Sequence, residues 1–401
     1  MPYYRRNLIV LSITIFLAAL SWNQVMPFLS LFLEDLGVKG SNLKWWIGVV
    51  FAAQSAASII AQPFWGKLGD TYGRKPMIIR AGLFLTAIYF TMGFCQTPWQ
   101  LTIIRFLNGA LTGFIPGSFA LIATNTPEEL APRSVATAQS ASAVGLIVGP
   151  ALGGLLAANF GYRGSMMVSG MAVFVSTILV WFLVTEPNKV APAEKTSLTQ
   201  DFMISLRSPL QVSVLFAVML AWVFGAAINP YMAPYLRELS HGLLSEKSLK
   251  FAIGIIFALP AVSFLLSAHY WTRLGERWGY DRTIRLGLLG GGIGALILAT
   301  AHDLWTFGVI YFFVGLILSA ISPSIAAITC TKIDESFRGR AYGIQNSAGT
   351  IGGMTAPLVA SYIAAVAGLT SIFVFVGILF VAGAFVFHLL VKRWNTKPDA
   401  A

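Results

Sequence analysis

Arg105, in the stretch Leu101-Thr-Ile-Ile-Arg105-Phe-Leu-Asn108-Gly109, is the one charge set well inside a long apolar run. A guanidinium at that depth costs about 2.5–3.5 kcal/mol on insertion scales, so an intramembrane arginine marks function by default. It lies about five residues from the outer interface, and snorkelling to headgroups is the structural alternative. Moving a proton beside it would call for a carboxylate, and no apolar run carries one. Glu34 and Asp35 stand at the outer end of the first run, where partial burial would let a carboxyl exchange protons near neutral pH. Left in water, they are loop charges. Glu238, Glu246 and Asp303 are external, and the other acidic residues are cytoplasmic. His241, His269, His302 and His388 read as structural. No grouping suits a metal.

Two glycine patterns come next. Gly66-Lys67-Leu-Gly69-Asp70-Thr-Tyr-Gly73-Arg74-Lys75 joins the second and third runs, and Arg273-Leu-Gly275-Glu276-Arg277-Trp-Gly279 follows it weakly 206 positions later. The glycines allow close approach and a sharp turn, while Asp70 can accept from a helix N-terminus or face an arginine. An ordinary basic loop is the plainer reading. In the fifth run, Gly145, Gly149, Pro150, Gly153 and Gly154 place small residues four apart around a helix-bending proline. Generic small-residue packing is the alternative there.

The elements that hold these residues are legible in composition. The chain is 56% hydrophobic and 11% charged over 401 residues, with a mean hydropathy of +0.74. Soluble domains carry about a quarter charged residues, so lipid must be the solvent here. Twelve apolar runs of roughly 20 residues predict helices near 8–33, 43–65, 77–95, 100–122, 135–158, 165–185, 210–235, 250–270, 284–301, 305–329, 341–364 and 369–391. Barrel strands would alternate in polarity, and these runs do not.

The net charge of +11 is a matter of topology rather than of nucleic acid. With both ends inside, twenty of the 27 Lys and Arg are cytoplasmic and six (Lys39, Lys44, Arg163, Arg237, Lys247, Lys250) are external, which obeys the positive-inside rule. A Cys95–Cys330 disulfide would have to cross the membrane, so both cysteines are expected reduced. The first run is too long for a signal peptide and lacks a cleavage site.

The chain also matches itself at an offset of 206–207: Met26-Pro27-Phe28-Leu29 with Ala233-Pro234-Tyr235-Leu236, Gly109 with Gly315, Arg133 with Arg340, Pro150 with Pro357, Gly161 with Gly368. Ordered matches of this kind mean duplication. The expected division is a six-helix half over 1–186, a cytoplasmic linker over 187–209 and a second half over 210–401, two pseudo-symmetric bundles of an all-α membrane protein.

The 66–75 stretch resembles the loop 2–3 signature of the major facilitator superfamily, and the fifth-run glycines resemble its exporter and antiporter signature. Val25-Met-Pro-Phe-Leu-Ser-Leu-Phe-Leu-Glu-Asp-Leu-Gly37, Pro63-Phe-Trp-Gly66 and Phe114-Ile-Pro-Gly117 are similar to its bacterial multidrug-efflux branch with twelve spans, the drug:proton antiporter 1 group. The likeness implies the major facilitator fold. It implies that Gly66, Gly69, Asp70, Gly73, Arg74 and Lys75, with Gly275, Glu276 and Gly279, latch the cytoplasmic side, Asp70 meeting the start of span eleven near Arg340 and Arg74 meeting Glu128 or Glu129. It implies a coupling role for Arg105. A central cavity would then draw on Trp22, Asn23, Gln24, Met26, Gln54, Asn108, Phe114 and Gln139 in the first half, with Trp222, Asn229, Tyr231, Phe257, Tyr311, Gln345 and Asn346 in the second.

Aromatic and Met surface with scattered amides suits a lipophilic or amphipathic small molecule. The expectation is a proton-coupled exporter working by alternating access, monomeric, multi-pass in a bacterial inner membrane with both termini cytoplasmic. Its partners would be that solute and membrane lipid, with no nucleic acid; it needs no cofactor beyond a proton gradient. An importer of a polar metabolite such as a sugar or siderophore, or a lipid or lysolipid translocator, are the rival readings. The sequence has no P-loop, Gly-x-Ser-x-Gly or His-Glu-x-x-His, which argues against an enzyme.

Overall fold

Helices account for every regular element of the computed structural model among the described residues. The structure describes residues 2–111, 113–187 and 198–396, the side chains of 63, 67, 70, 198–201, 335, 336, 395 and 396 excepted. The expected Asp70 contact, and residues 188–197 of the expected linker, therefore lie outside the described residues. Leu198–Arg207 within that linker is a helix.

Among the described residues, ten helical stretches are long and apolar enough to cross a membrane: Tyr3–Asp35, Gly40–Gln62, Arg74–Gly93, Pro98–Asn125, Ala131–Leu183, Pro209–Leu239, Glu246–Trp278, Leu304–Lys332, Phe337–Ala367 and Thr370–Trp394. Two features bring the spans to twelve. Ala131–Leu183 has 53 residues and leaves helical geometry at Gly161, with φ 69° and ψ 175°. Straight, it would run about 80 Å, well over twice the thickness of the hydrocarbon, so it holds spans five and six. Tyr280–Leu298 is the ninth span. Asp281, Arg282 and Arg285 crowd its first two turns, and the rest of the helix is apolar.

Helix ends differ from the apolar runs in an instructive way. The second span continues as helix to Tyr72 and the third starts at Arg74, so the 66–75 stretch is helix on both sides of one glycine rather than an open loop. Hydropathy registers where lipid ends, whereas backbone hydrogen bonding carries a helix on into water. The eighth span repeats this, running to Trp278 before Gly279.

Contacts within the chain separate two units, Met1–Glu194 with His241–Ala258, and Lys195–Ser240 with Leu259–Ala401. In the first, span one lies along the fifth and sixth spans. Leu11, Ile15, Ile78, Ala81, Phe114 and Val180 form a core that is buried from end to end. Lipid is as apolar as this core, so its cohesion comes from close packing rather than from exclusion of water. In the second unit the ninth and twelfth spans cross where a Cβ on Gly292 would stand 2.8 Å from the Gly377 carbonyl. Tyr235, Phe307 and Phe373 interlock nearby with ring centroids 4.7–5.6 Å apart. Asp303 caps the tenth span by accepting from the Trp305 and Thr306 amides at 3.0 and 2.9 Å. Hydrogen bonds from Thr306 hold its carboxyl below the ordinary range, so this cap persists at neutral pH and is lost only as pH falls through that lowered value.

The duplication survives in backbone detail. Gly73 and Gly279 share a left-handed φ, 101° and 96°, at the same junction. Trp65 Nε1 donates to the Ala110 carbonyl at 2.6 Å, and Trp271 Nε1 donates to the Leu316 carbonyl at the same distance. Both tryptophans and both acceptors are 206 positions apart.

Candidate functional site

Arg105 is 3% exposed, so it does not snorkel. Its guanidinium lies 5.5 Å from the ring centroids of both Trp22 and Phe51, and Nη2 stands 3.7 Å from Met26 Sδ. Nε is buried with no hydrogen-bond partner, and no carboxylate pairs with the group among the described residues. Aromatic faces attract a cation by about 0.5–2 kcal/mol each, less than desolvating the charge costs. One turn on, Asn108 is 0% exposed and neither polar atom of its side chain has a partner. The Gln24 and Gln54 side-chain oxygens are buried and unpartnered as well, although Gln24 Nε2 donates to the Ser165 carbonyl at 2.8 Å. A group of unsatisfied polar atoms at the middle of an apolar bundle is costly, and such sites are kept where something is recognised or moved. Tyr89, whose hydroxyl is also buried and unpartnered, belongs to this neighbourhood and gave no motif by which the sequence could reveal it.

Glu34 is half-buried and Asp35 exposed at the end of span one, and each holds an interaction there. Trp22, Met26 and Gln54 are half-buried, and Asn23 donates to the Ala19 carbonyl at 2.8 Å. Phe114 is placed in the core described above and Gln139 is exposed. In the second unit Trp222 and Asn229 are exposed, and the buried Tyr311 hydroxyl donates to Asn229 Oδ1 at 3.3 Å. Tyr231 donates to the Pro357 carbonyl at 3.0 Å and Gln345 to Thr329 Oγ1 at 2.9 Å, while Asn346 is exposed. Phe257 is half-buried and groups with the first unit.

The span-five glycines form a seam. A Cβ on Gly145 would stand 2.7 Å from the Phe16 carbonyl, and one on Gly149 would stand 2.8 Å from both the Leu20 carbonyl and Asn23 Cβ. Gly153 would meet the Gln24 carbonyl. Spans one and five thus touch backbone to backbone for three successive turns. Beyond Pro150 the seam turns to the first part of span eight, where Gly154 faces the Lys250 carbonyl and Gly254 the Pro150 carbonyl.

At the cytoplasmic junction the decisive residue is one that the motif does not contain. Glu186, just past span six, accepts from the Arg74 amide at 2.7 Å and the Lys75 amide at 2.8 Å, one carboxylate oxygen to each. It caps the third span with a charge complementary to that helix's N-terminal dipole. Glu128 and Glu129, the expected partners of Arg74, are exposed and hold no ion pair among the described residues. Gly66 is exposed and Gly69 buried; Gly275 is buried against Tyr280, and Glu276 is exposed. A Cβ on Gly73 would lie 3.0 Å from Glu186 Oε2 on a left-handed backbone. Gly73→Ala is expected to lower stability by about 1–2 kcal/mol. Glu186→Gln, which keeps the shape and loses the charge, should cost about 0.5–1 kcal/mol. Thermal melts of the purified variants check both.

A sequence profile described as the Major Facilitator Superfamily matches residues 11–249 and 214–401. The chain belongs to the Major Facilitator Superfamily. Curated relatives include Multidrug resistance protein MdtG of Proteus mirabilis, 32% identical over 395 residues, covering 98% of this chain and 96% of that one. The namesake in Dickeya zeae is 31% identical over 398 residues, with the same coverage. A nucleoside transporter, NupG, shares the fold at a TM-score of 0.82 and 13% identity over 96% of this chain and 99% of that one. A bacterial homologue of the human lysosomal transporter Spinster superposes at 0.81 and 14% identity, each chain covered in full. As a member of this superfamily with bacterial relatives along its whole length, the chain is a multi-pass protein of the inner membrane and a secondary transporter.

Proposed function

We propose that this transporter expels lipophilic or amphipathic small molecules from the cell in exchange for protons, by alternating access. Full-length likeness to proteins named for multidrug resistance carries the reading. The Arg105 neighbourhood supports it. Trp22, Phe51 and Met26 offer a polarisable apolar wall, and the amides of Gln24, Gln54 and Asn108 offer few, weakly directional polar contacts. Arg105 is the coupling residue, and Glu34 and Asp35 are the carboxylates through which protons exchange on the outer side. The span-five seam keeps spans one and five moving as one piece, and the Gly66–Lys75 junction, with its counterpart at Gly275–Gly279, latches the cytoplasmic side. The carrier acts as a monomer on solute alone and catalyses no bond change.

The unpartnered amides favour a second reading, carriage of a polar metabolite. One experiment separates the two. In proteoliposomes with an imposed pH gradient, uphill movement of cationic dyes or neutral antibiotics supports efflux. Uphill movement of sugars or nucleosides alone would replace it with the second reading. Movement of lysolipids alone would point to a lipid translocator.

A further inference from the structure

The short helix Leu198–Arg207 cannot run straight on into span seven. Pro209 opens that span and disfavours helical backbone in the residue ahead of it, so Ser208 is extended, with φ −87° and ψ 116°. The Ser208 hydroxyl caps the span instead, accepting from the Gln211 amide at 3.4 Å. The short helix lies against spans seven and eleven, and Ser205 is buried. Six spans precede Pro209 and the amino terminus is inside. One residue therefore separates this helix from a span that starts at the inner membrane surface.

Its side chains divide by face. At 100° per residue, Phe202, Leu206 and Met203 cover an arc of about 100°. Ile204 points about 150° from the centre of that arc, and Ser205 about 110° from it on the other side. Arg207 borders the arc beside Met203. Phe202 is 43% exposed, Met203 55% and Leu206 48%, and nothing in the transport site uses them. Three large apolar side chains open together on a ten-residue helix would order water at a cost, so the face is built for another neighbour. Even standing on end, the helix would keep Phe202 within about 11 Å of Pro209. Folded back against two spans, it is nearer the lipid still.

We propose that Phe202, Met203 and Leu206 form a membrane-docking face that seats this helix in the inner leaflet, at the boundary of headgroups and acyl chains. Two observations select lipid as the occupant. The join to span seven is one residue long, which continues the face into a surface already in lipid. Arg207 stands at the edge of the arc, where its stem can follow the apolar side and its guanidinium reach headgroup phosphates. Ile204 then faces the cytoplasm. The assignment stands whatever solute the transporter carries.

Spin labels on the full-length protein in nanodiscs of phosphatidylethanolamine and phosphatidylglycerol test it. In a Cys95→Ala, Cys330→Ser background, labels on Phe202→Cys and Leu206→Cys should be more accessible to oxygen than to a water-soluble nickel chelate. A label on Ile204→Cys should show the reverse. Three labels equally open to nickel would mean that the face looks into water, and labels at 202 and 206 closed to both reagents would mean that protein covers it. Either result overturns the proposal. The wild type supplies a second measurement should the labelled variants fail to fold. Irradiated with a phospholipid carrying a diazirine near its headgroup, it should gain adducts within 202–206, and a peptide free of adducts there overturns the proposal as well.

Discussion

Arg105→Met is expected to abolish uphill transport while leaving the protein at least as stable as before. A pH difference of about one unit stores about 1.4 kcal/mol per proton, enough for about ten-fold accumulation at one-for-one exchange. Without a fixed cation to respond to protonation, that ratio should collapse to about one, with downhill exchange continuing. The stability half of the prediction follows from the partners. Arg105 is held by two aromatic faces and a thioether, with no carboxylate paired to it among the described residues. Removing a buried charge that is poorly compensated is commonly neutral or stabilising, whereas removing one member of a true ion pair is costly. Accumulation assays in proteoliposomes and thermal melts of the same preparation check both halves. Retained ten-fold accumulation ends the coupling role; a sharp fall in melting temperature would mean that the guanidinium is structural.

Gly149→Val should have the opposite profile. A Cβ at this position stands 2.8 Å from the Leu20 carbonyl and from Asn23 Cβ, and two further methyls would drive into the same backbone. Neither helix can yield locally, since Gly145 and Gly153 hold the adjoining turns as tightly. Overpacking of this kind costs about 1–3 kcal/mol and separates the helices along the seam. The melting temperature should therefore drop, with downhill as well as uphill transport. Gly149→Ala should fall between the two. A valine variant with wild-type stability and transport would mean that spans one and five are not held together at this seam.

How the sequence and the structure divide these results can be seen residue by residue. Leu198–Arg207 escaped the sequence because a short helix with mixed charges has neither the length nor the hydropathy of a span. Glu186 escaped because its partners, the Arg74 and Lys75 amides, are more than a hundred positions away. The family resemblance implied that Arg74 would meet Glu128 or Glu129. A carboxylate that meets two free amides at a helix start gains directional hydrogen bonds and the helix dipole together.

The sequence by itself determined the solvent, the orientation and the repeat. A chain that is 11% charged can only be solvated by lipid, charge asymmetry sets which ends stay inside, and Gly73 and Gly279 recur because the same left-handed junction is made twice. Only the tertiary structure decided that Arg105 is enclosed by Trp22, Phe51 and Met26, that Phe114 belongs to a core, and that Arg285 and His388 meet across two spans. The physical reason is one of range. Hydropathy and turn geometry act on neighbours in the chain, and composition preserves them. Which face of one helix meets which face of another depends on atomic contacts between distant segments, and no local pattern encodes those.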